Sequence, residues 1–354
     1  MAGRCSGKPR AGWTRARPML NALFDAQAMP AMNLTRSLFA ATAALTLATA
    51  AWSQTKWDLP AAYPATNFHS VNLQEFANDV DKATGGKLKI TVHANASLFK
   101  APEIKRAVQG GQAQIGEILM VNYQNEWQIF GADGLPFVAD SYDEAMKLWR
   151  VQRPMVEKKL AEQGLMPLYA VPWPPQGIYA KRPLNSAADL KGMKWRAYSP
   201  ATARVAELVG AQPVTVQAAE LSQAMATGVV ESYMSSGSTG FDTKTYEHIK
   251  YWYDTQAWLP KNLVIVNKAA FDALDGATKQ AVLKAGADAE ARGLAASKKT
   301  NTDSLDKLKA NGMQILPPSA ALKADMKKVG EVMLKEWLDK AGAEGQALVD
   351  AYRK

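Results

Sequence analysis

Leu73, Phe76, Ala77 and Val80 fall at i, i+3, i+4 and i+7, the spacing that gathers apolar side chains on one helix face. Gly85–Gly86 ends that helix. Directly afterwards Lys87–His93 alternates, with Leu88, Ile90 and Val92 on one side, the period of a half-buried strand. Thr55–Leu59 reads as a first strand and Gln114–Met120 as an apolar one. The pattern predicts a helix over Tyr142–Gln163, broken near Pro154, and a strand over Met166–Val171. That strand runs into Pro172–Gly177, a rigid aromatic connector and the first candidate crossing between two lobes. Ile249–Tyr253 and Gln256–Asn267 read as strands, the second long enough to return to the first lobe. Asp275 opens a long helix to Ala310, stopped by Asn311–Gly312, and a final helical region holds Met333 and Trp337.

The middle of the chain, Asp189–Ser236, has the densest pattern. A short strand, Met193–Arg196, ends in an arginine, and Ser199 with Pro200 reads as N-cap and first residue of a helix closed by Gly210. An extended Pro213–Val216, a helix from Ala218 to Ala226, Gly228 and a strand into Tyr233–Ser236 follow. Arginine before a helix start brings a planar guanidinium fork near unpaired N–H groups at the positive dipole end. A small carboxylate suits that place; a structural ion pair at a strand end is the alternative.

Similar grammar occurs earlier, where Glu103-x-x-x-Ala107, Gly110–Gly111 and a strand echo Glu220-x-x-x-Ala224, Gly228 and a strand. Two halves of like design predict two α/β lobes with a ligand cleft between them.

Composition and charge then narrow the class. With 354 residues, 47% hydrophobic and 21% charged, the chain is globular and long enough for two ordinary domains. Met32–Arg36 followed by an alanine- and leucine-rich run from Ser37 to Ala51 has the layout of a secretory signal peptide. The run is short of the about 20 residues a membrane-spanning helix needs. Met32 reads as the natural start and residues 1–31 as an over-extended frame; an unusually long basic region is the alternative. Residues 1–53 hold six basic side chains and one acid, so removing them lowers the formal charge from +9 to +4. No basic stripe remains for nucleic acid. Cys5, the only cysteine, leaves with the leader, so the exported protein has no disulfide. The expectation is a periplasmic protein without direct membrane insertion.

Signatures of catalysis and metal binding are missing. His69, His93 and His248 are widely spaced, and no Gly-x-Ser-x-Gly, phosphate loop or cysteine nucleophile occurs. Asp58, Glu117 and Glu231 stand at no spacing that pairs them. No cofactor and no metal site is expected.

Taken together, Thr84–Leu88, Gly134–Phe137, Asp189–Arg196 and Gly210–Val214, in this order behind a signal peptide, resemble the solute-binding subunits of tripartite ATP-independent periplasmic (TRAP) transporters, the DctP type. The resemblance covers essentially the whole mature chain. It implies a two-lobed α/β periplasmic-binding-protein fold with discontinuous domains, a hinge, and a long helix, here Asp275–Ala310, contacting both lobes. The corresponding division is 54–173 plus 262–301 for lobe I and 174–261 plus 302–354 for lobe II, after an upstream extension and signal peptide in 1–53. It also implies delivery of an organic acid to a small and a large membrane subunit by a protein expected to be monomeric.

The family's carboxylate-pairing arginine falls on Arg196. Two positions depart from relatives: Gln176 stands where sialic-acid binders have a second arginine, and Ser235 where many members have asparagine. Both changes remove charge or polar reach, so a compact monocarboxylate, 2-oxo or aromatic, is expected over a sugar acid or dicarboxylate. Ser236, Trp173, Tyr233, Phe68 and Trp127 complete the candidate ligand-binding set, although small residues at a strand end also serve as plain turns and aromatics also fill cores. Lys100 could reach the ligand or stay a solvated loop residue. A ligand-binding sensor feeding a membrane receptor, or a periplasmic enzyme of small organic acids, are the rival functions. The processing reading predicts that N-terminal sequencing of exported protein finds a start near Gln54 or Ala51; retention of residues 1–31 there refutes it.

Overall fold

The computed structural model describes residues 54–354; the leader, Cys5 and the candidate cleavage positions lie outside the described residues. In chain order the strands are β1 (Thr55–Pro60), β2 (Leu88–His93), β3 (Ile115–Leu119), β4 (Leu165–Pro172), β5 (Gly177–Ala180), β6 (Lys194–Ala197), β7 (Gln212–Thr215), β8 (Ser232–Ser235), β9 (Tyr251–Tyr253), β10 (Lys261–Asn267) and β11 (Gln314–Leu316). One lobe holds the parallel pair β1–β2 and a three-stranded sheet in which β10 lies between β3 and β4, antiparallel to both. The other is built on a six-stranded mixed sheet ordered β11-β9-β5-β8-β6-β7. β4 is buried along nearly its whole length, which explains its unbroken apolar run. Pro167, which has no N–H to donate, lies beside the register shift between β4 and β10, where an irregular ladder tolerates it.

The echo between the two halves has a structural counterpart. Turns Ala101–Glu103 and Ala218–Glu220 open the helices Ile104–Gln109 and Leu221–Ala226. Glu103 Oε2 accepts the Lys100 N–H at 3.1 Å, and Glu220 Oε2 accepts the Gln217 N–H at 3.1 Å. Gly111 and Gly228, at φ 73° and 69°, then reverse the chain toward β3 and β8. Each half therefore aims a buried strand at the space between the lobes.

The connectors between β4 and β5 and between β9 and β10 run between the lobes and hydrogen-bond to each other. Trp173 N–H donates to the Pro260 carbonyl (2.8 Å), Gln176 N–H to Trp258 (3.0 Å) and Ala257 N–H to Gln176 (3.0 Å). The long strand expected from Gln256 accordingly begins only at Lys261: Gln256 takes a left-handed φ of 47° and Pro260 has no N–H for a ladder. The helix Tyr142–Ala161 also differs from expectation, running through Pro154. Its buried face, with Leu148, Trp149, Val156 and Leu160, packs on both sides of the proline and holds the helix together.

Two long helices span the lobes. Gly276–Ala310, capped by Asp275 accepting the Thr278 N–H at 2.9 Å, packs Gly286 and Gly293 onto Leu168 and Val171 of β4. Farther along, its Ser304 and Leu305 touch Gly237, beyond β8. A Cβ on Gly293 would stand 2.4 Å from Val171, so only glycine permits this approach. The terminal helix Ala320–Arg353, kinked at Gly342, likewise joins distant segments. Trp337 Nε1–H donates to the Gln128 carbonyl (2.8 Å), and the Arg204 fork grips Glu336 (2.9 and 2.7 Å).

At the foot of the second connector lies a buried ion pair. Asp133 Oδ2 accepts the Lys261 N–H at 2.8 Å, Lys261 Nζ stands 3.7 Å away, and both side chains are 1% exposed. Burial pushes the Asp133 carboxyl up to about 6, against the pull of Lys261. Asp133→Ala would strand a buried ammonium, and urea unfolding is expected to show a loss of about 3–5 kcal/mol. A loss below about 1 kcal/mol would refute a structural role for the pair.

Candidate functional site

A cavity of about 350 Å³ lies where strands of both lobes end near the connectors. Arg196, in the middle of β6, reaches its wall from one lobe; Glu117, in the middle of β3, reaches it from the other. Arg196 is 3% exposed. Its Nε–H donates to the Val216 carbonyl at 2.9 Å, and its guanidinium lies 4.9 Å from the Tyr198 ring and 5.7 Å from the Tyr233 ring. Tyr233 is itself held, stacked on Tyr179 at 4.4 Å with its hydroxyl 2.5 Å from Thr245 Oγ1. Among the described residues no carboxylate pairs with Arg196, and burial lowers its affinity for its proton. This disfavours the ion-pair alternative: a rigid, dehydrated cation faces the cavity, and an incoming carboxylate would complete it.

The helix start beside Arg196 does not share that task. Ser199 Oγ accepts the Thr202 N–H at 3.2 Å, Thr202 Oγ1 accepts the Tyr198 and Ser199 N–H groups at 3.0 Å, and Pro200 has no N–H. These contacts occupy the N–H groups of Tyr198, Ser199 and Thr202, and the helix start is not among the residues lining the cavity, so the expected union of arginine and helix dipole does not form its wall.

The opposite wall is aromatic. Trp173 meets Tyr63 edge-on at 4.8 Å and Phe68 at 5.4 Å. Asn262 Oδ1 accepts from Trp173 Nε1–H at 2.8 Å and from the Tyr63 hydroxyl at 3.4 Å. Burial pushes the Glu117 carboxyl up to about 8, while the Asn262 carboxamide pulls the other way. His69 Nδ1 lies 3.5 Å from Glu117, but burial holds the imidazole well below its usual range and therefore neutral.

Residues 62–340 match the family model for bacterial extracellular solute-binding protein, family 7. The chain belongs to this family, the TRAP solute-binding proteins of the DctP type. A solved extracytoplasmic solute receptor of Bordetella pertussis, described as binding pyroglutamic acid, is 65% identical, covers 84% of this chain and 99% of its own, and superposes with a TM-score of 0.84. A marine metagenome TRAP solute-binding protein specific for pyroglutamate is 47% identical, with coverages of 85% and 99% and a TM-score of 0.83. The C4-dicarboxylate-binding periplasmic protein of Rhodobacter capsulatus is 26% identical over 285 residues, 78% of this chain and 84% of its own. Relatives of this solute-binding protein work in the periplasm, and no described helix is long and apolar enough to cross a membrane.

Of the side chains singled out in the sequence of this family 7 protein, Arg196, Gln176, Ser235 and Trp173 line the cavity, as does Lys100 at its exposed rim. Gln176 is committed internally, its Nε2–H donating to Pro174 (2.8 Å) and its Oε1 accepting from Tyr198 (3.3 Å). Four others are not brought to the wall. Ser236 caps the short helix Gly237–Asp242 and accepts the Tyr179 hydroxyl on its carbonyl. Tyr233 lies beneath Arg196, and Phe68 behind Trp173. Trp127 stands apart, edge-on to Phe130 with its Nε1–H on Glu344 (2.8 Å). Tyr63, Glu117, Asn122, Tyr198 and Thr239 were missed as wall residues. An acid at the centre of the apolar run Ile115–Leu119 was itself a signal, and Tyr198 follows Arg196 at the two-residue spacing of one strand face.

Because Arg196 has no acidic partner among the described residues, Arg196→Ala without ligand is expected to unfold within about 1 kcal/mol of the parent. A loss of about 3 kcal/mol or more in the same measurement would make the arginine a structural residue.

Proposed function

We propose that this chain captures pyroglutamate, the five-membered lactam of a small amino acid, and hands it to a TRAP membrane complex of a small and a large subunit. The 65% identity to a receptor described as binding pyroglutamic acid, across 99% of that chain, carries the reading. The cavity supports it. Arg196 offers a bidentate seat for one carboxylate, and the aromatic face around Trp173 suits a compact ring. A dicarboxylate would bring its second charge into a wall whose opposite side holds the acid Glu117 and, among the described residues, no buried lysine or arginine. The expected monocarboxylate is kept, with its body now a saturated lactam rather than a 2-oxo or aromatic group. No observation favours the sensor or the enzyme reading.

Titration calorimetry on one ligand-stripped preparation compares pyroglutamate, pyruvate, phenylacetate, succinate and glucuronate. Pyroglutamate is expected to bind tightest; tightest binding of succinate or glucuronate overturns the reading. Arg196→Ala should weaken pyroglutamate by about 2–5 kcal/mol, roughly thirtyfold to several thousandfold. Arg196→Lys keeps the charge without the planar fork and should recover only part of that loss. Unchanged affinity in Arg196→Ala would remove the arginine from the site.

A further inference from the structure

Glu117 is a buried acid that carboxylate capture by Arg196 leaves unused. It is opposite Val264 in the ladder with β10, is 3% exposed, and belongs to the cavity wall. Among the described residues its Oε2 has no hydrogen-bond partner, its Oε1 stands 3.5 Å from the neutral His69, and the Asn262 carboxamide lies beside the carboxyl. A buried carboxyl with an unused oxygen beside a ligand cavity is expensive for folding, and a ligand that pairs with it would offset that cost.

We propose that Glu117 is the second recognition point of the cavity: as the neutral acid, it pairs with the ring amide of the ligand through two hydrogen bonds. This rests on the pyroglutamate reading and names the residue that reads the ring. A five-membered lactam is locked cis, so its N–H and C=O lie side by side. A carboxylic acid presents the complementary pair at the same pitch, its O–H donating to the lactam oxygen and its carbonyl accepting the lactam N–H. An ionised carboxylate is acceptor-only and would repel the lactam oxygen. Burial, by pushing the carboxyl up to about 8, keeps the proton on at neutral pH.

The neighbours leave that titration separable. His69, from the helix Phe68–Ala83, is held neutral. Tyr63 beside β1, Tyr169 of β4 and Tyr198 across the cavity are all pushed up by burial, away from neutral pH. Asn262 of β10 does not ionise, Arg196 faces the site from β6, and Asp133, beyond Tyr198, lies lower at about 6. Lys100 and Glu220 stand at the exposed rim. Since the bound form needs the proton, affinity should be level below about 8 and fall about tenfold per pH unit above it. A carboxylate that merely accepted the N–H would give the opposite sign.

The test is calorimetry of the mature chain from pH 6.5 to 9.5, with pyroglutamate and with cyclopentanecarboxylate, a ring of like size without the amide. Wild type should lose affinity above about pH 8 and bind cyclopentanecarboxylate at least about tenfold more weakly. Glu117→Ala should lose about tenfold to a hundredfold for pyroglutamate alone. Glu117→Gln, which has a donor and an acceptor at the same pitch, should recover most of that loss and no longer weaken at high pH. Affinity that rises with pH, or equal binding of the two rings, overturns the proposal while leaving pyroglutamate as ligand. No pyroglutamate binding at any pH overturns both. The wild-type profile and ligand pair decide the matter even if a substitution prevents folding.

Discussion

A buried guanidinium that has no acidic partner among the described residues is the feature on which the rest of the site depends. Arg196 stays in place because its Nε–H is tied to the Val216 carbonyl and two tyrosine rings bracket its charge. Those contacts fix the fork's direction without neutralising it. Dehydration of such a cation is tolerable only while other interactions hold the fold together. The stacked Tyr179–Tyr233 pair and the Tyr233–Thr245 hydroxyl contact supply that support from behind. The fold thus stores an unmet electrostatic demand at the point where a small anion can meet it.

The opposite wall and the connectors complete the logic. Glu117 and Arg196 belong to different lobes, so a ligand touching both also joins the lobes. The two crossing segments hydrogen-bond to each other near the cavity, and the Asp133–Lys261 pair anchors the start of β10 below them. The helices Gly276–Ala310 and Ala320–Arg353 pack against both lobes, the first through glycines that allow contact with β4. The terminal helix reaches the Gln128 carbonyl through Trp337 and Arg204 through Glu336.

Much of this was legible in the chain because it depends on neighbours a few residues apart. Caps at Ser199 and Asp275, left-handed glycines at 111, 210 and 228, and the like turns opened by Glu103 and Glu220 all follow from short spacings. The arginine in a short strand before a capped helix was legible for the same reason. Local reasoning failed where a local rule met a long-range constraint. Pro154 reads as a helix break, yet packing holds the helix straight through it, and the alternation after Gln256 reads as strand, yet pairing with the other connector bends it away.

By itself the sequence determined most of the helices and strands in their order, though not β5 or the helix Gly237–Asp242, together with the two-lobed family and the carboxylate-binding candidate Arg196, because periodicity, caps and motifs are local properties. Only the tertiary structure decided which side chains meet in the cavity. Asn262 lies 199 positions from Tyr63 and 89 from Trp173, yet accepts a hydrogen bond from each. Ser236, Phe68 and Tyr233, close in sequence to wall residues, support the wall from behind, while Glu117 comes to it from the other lobe. Side-chain direction at a strand end is set by the sheet register and by what packs behind it, and both come from residues far along the chain.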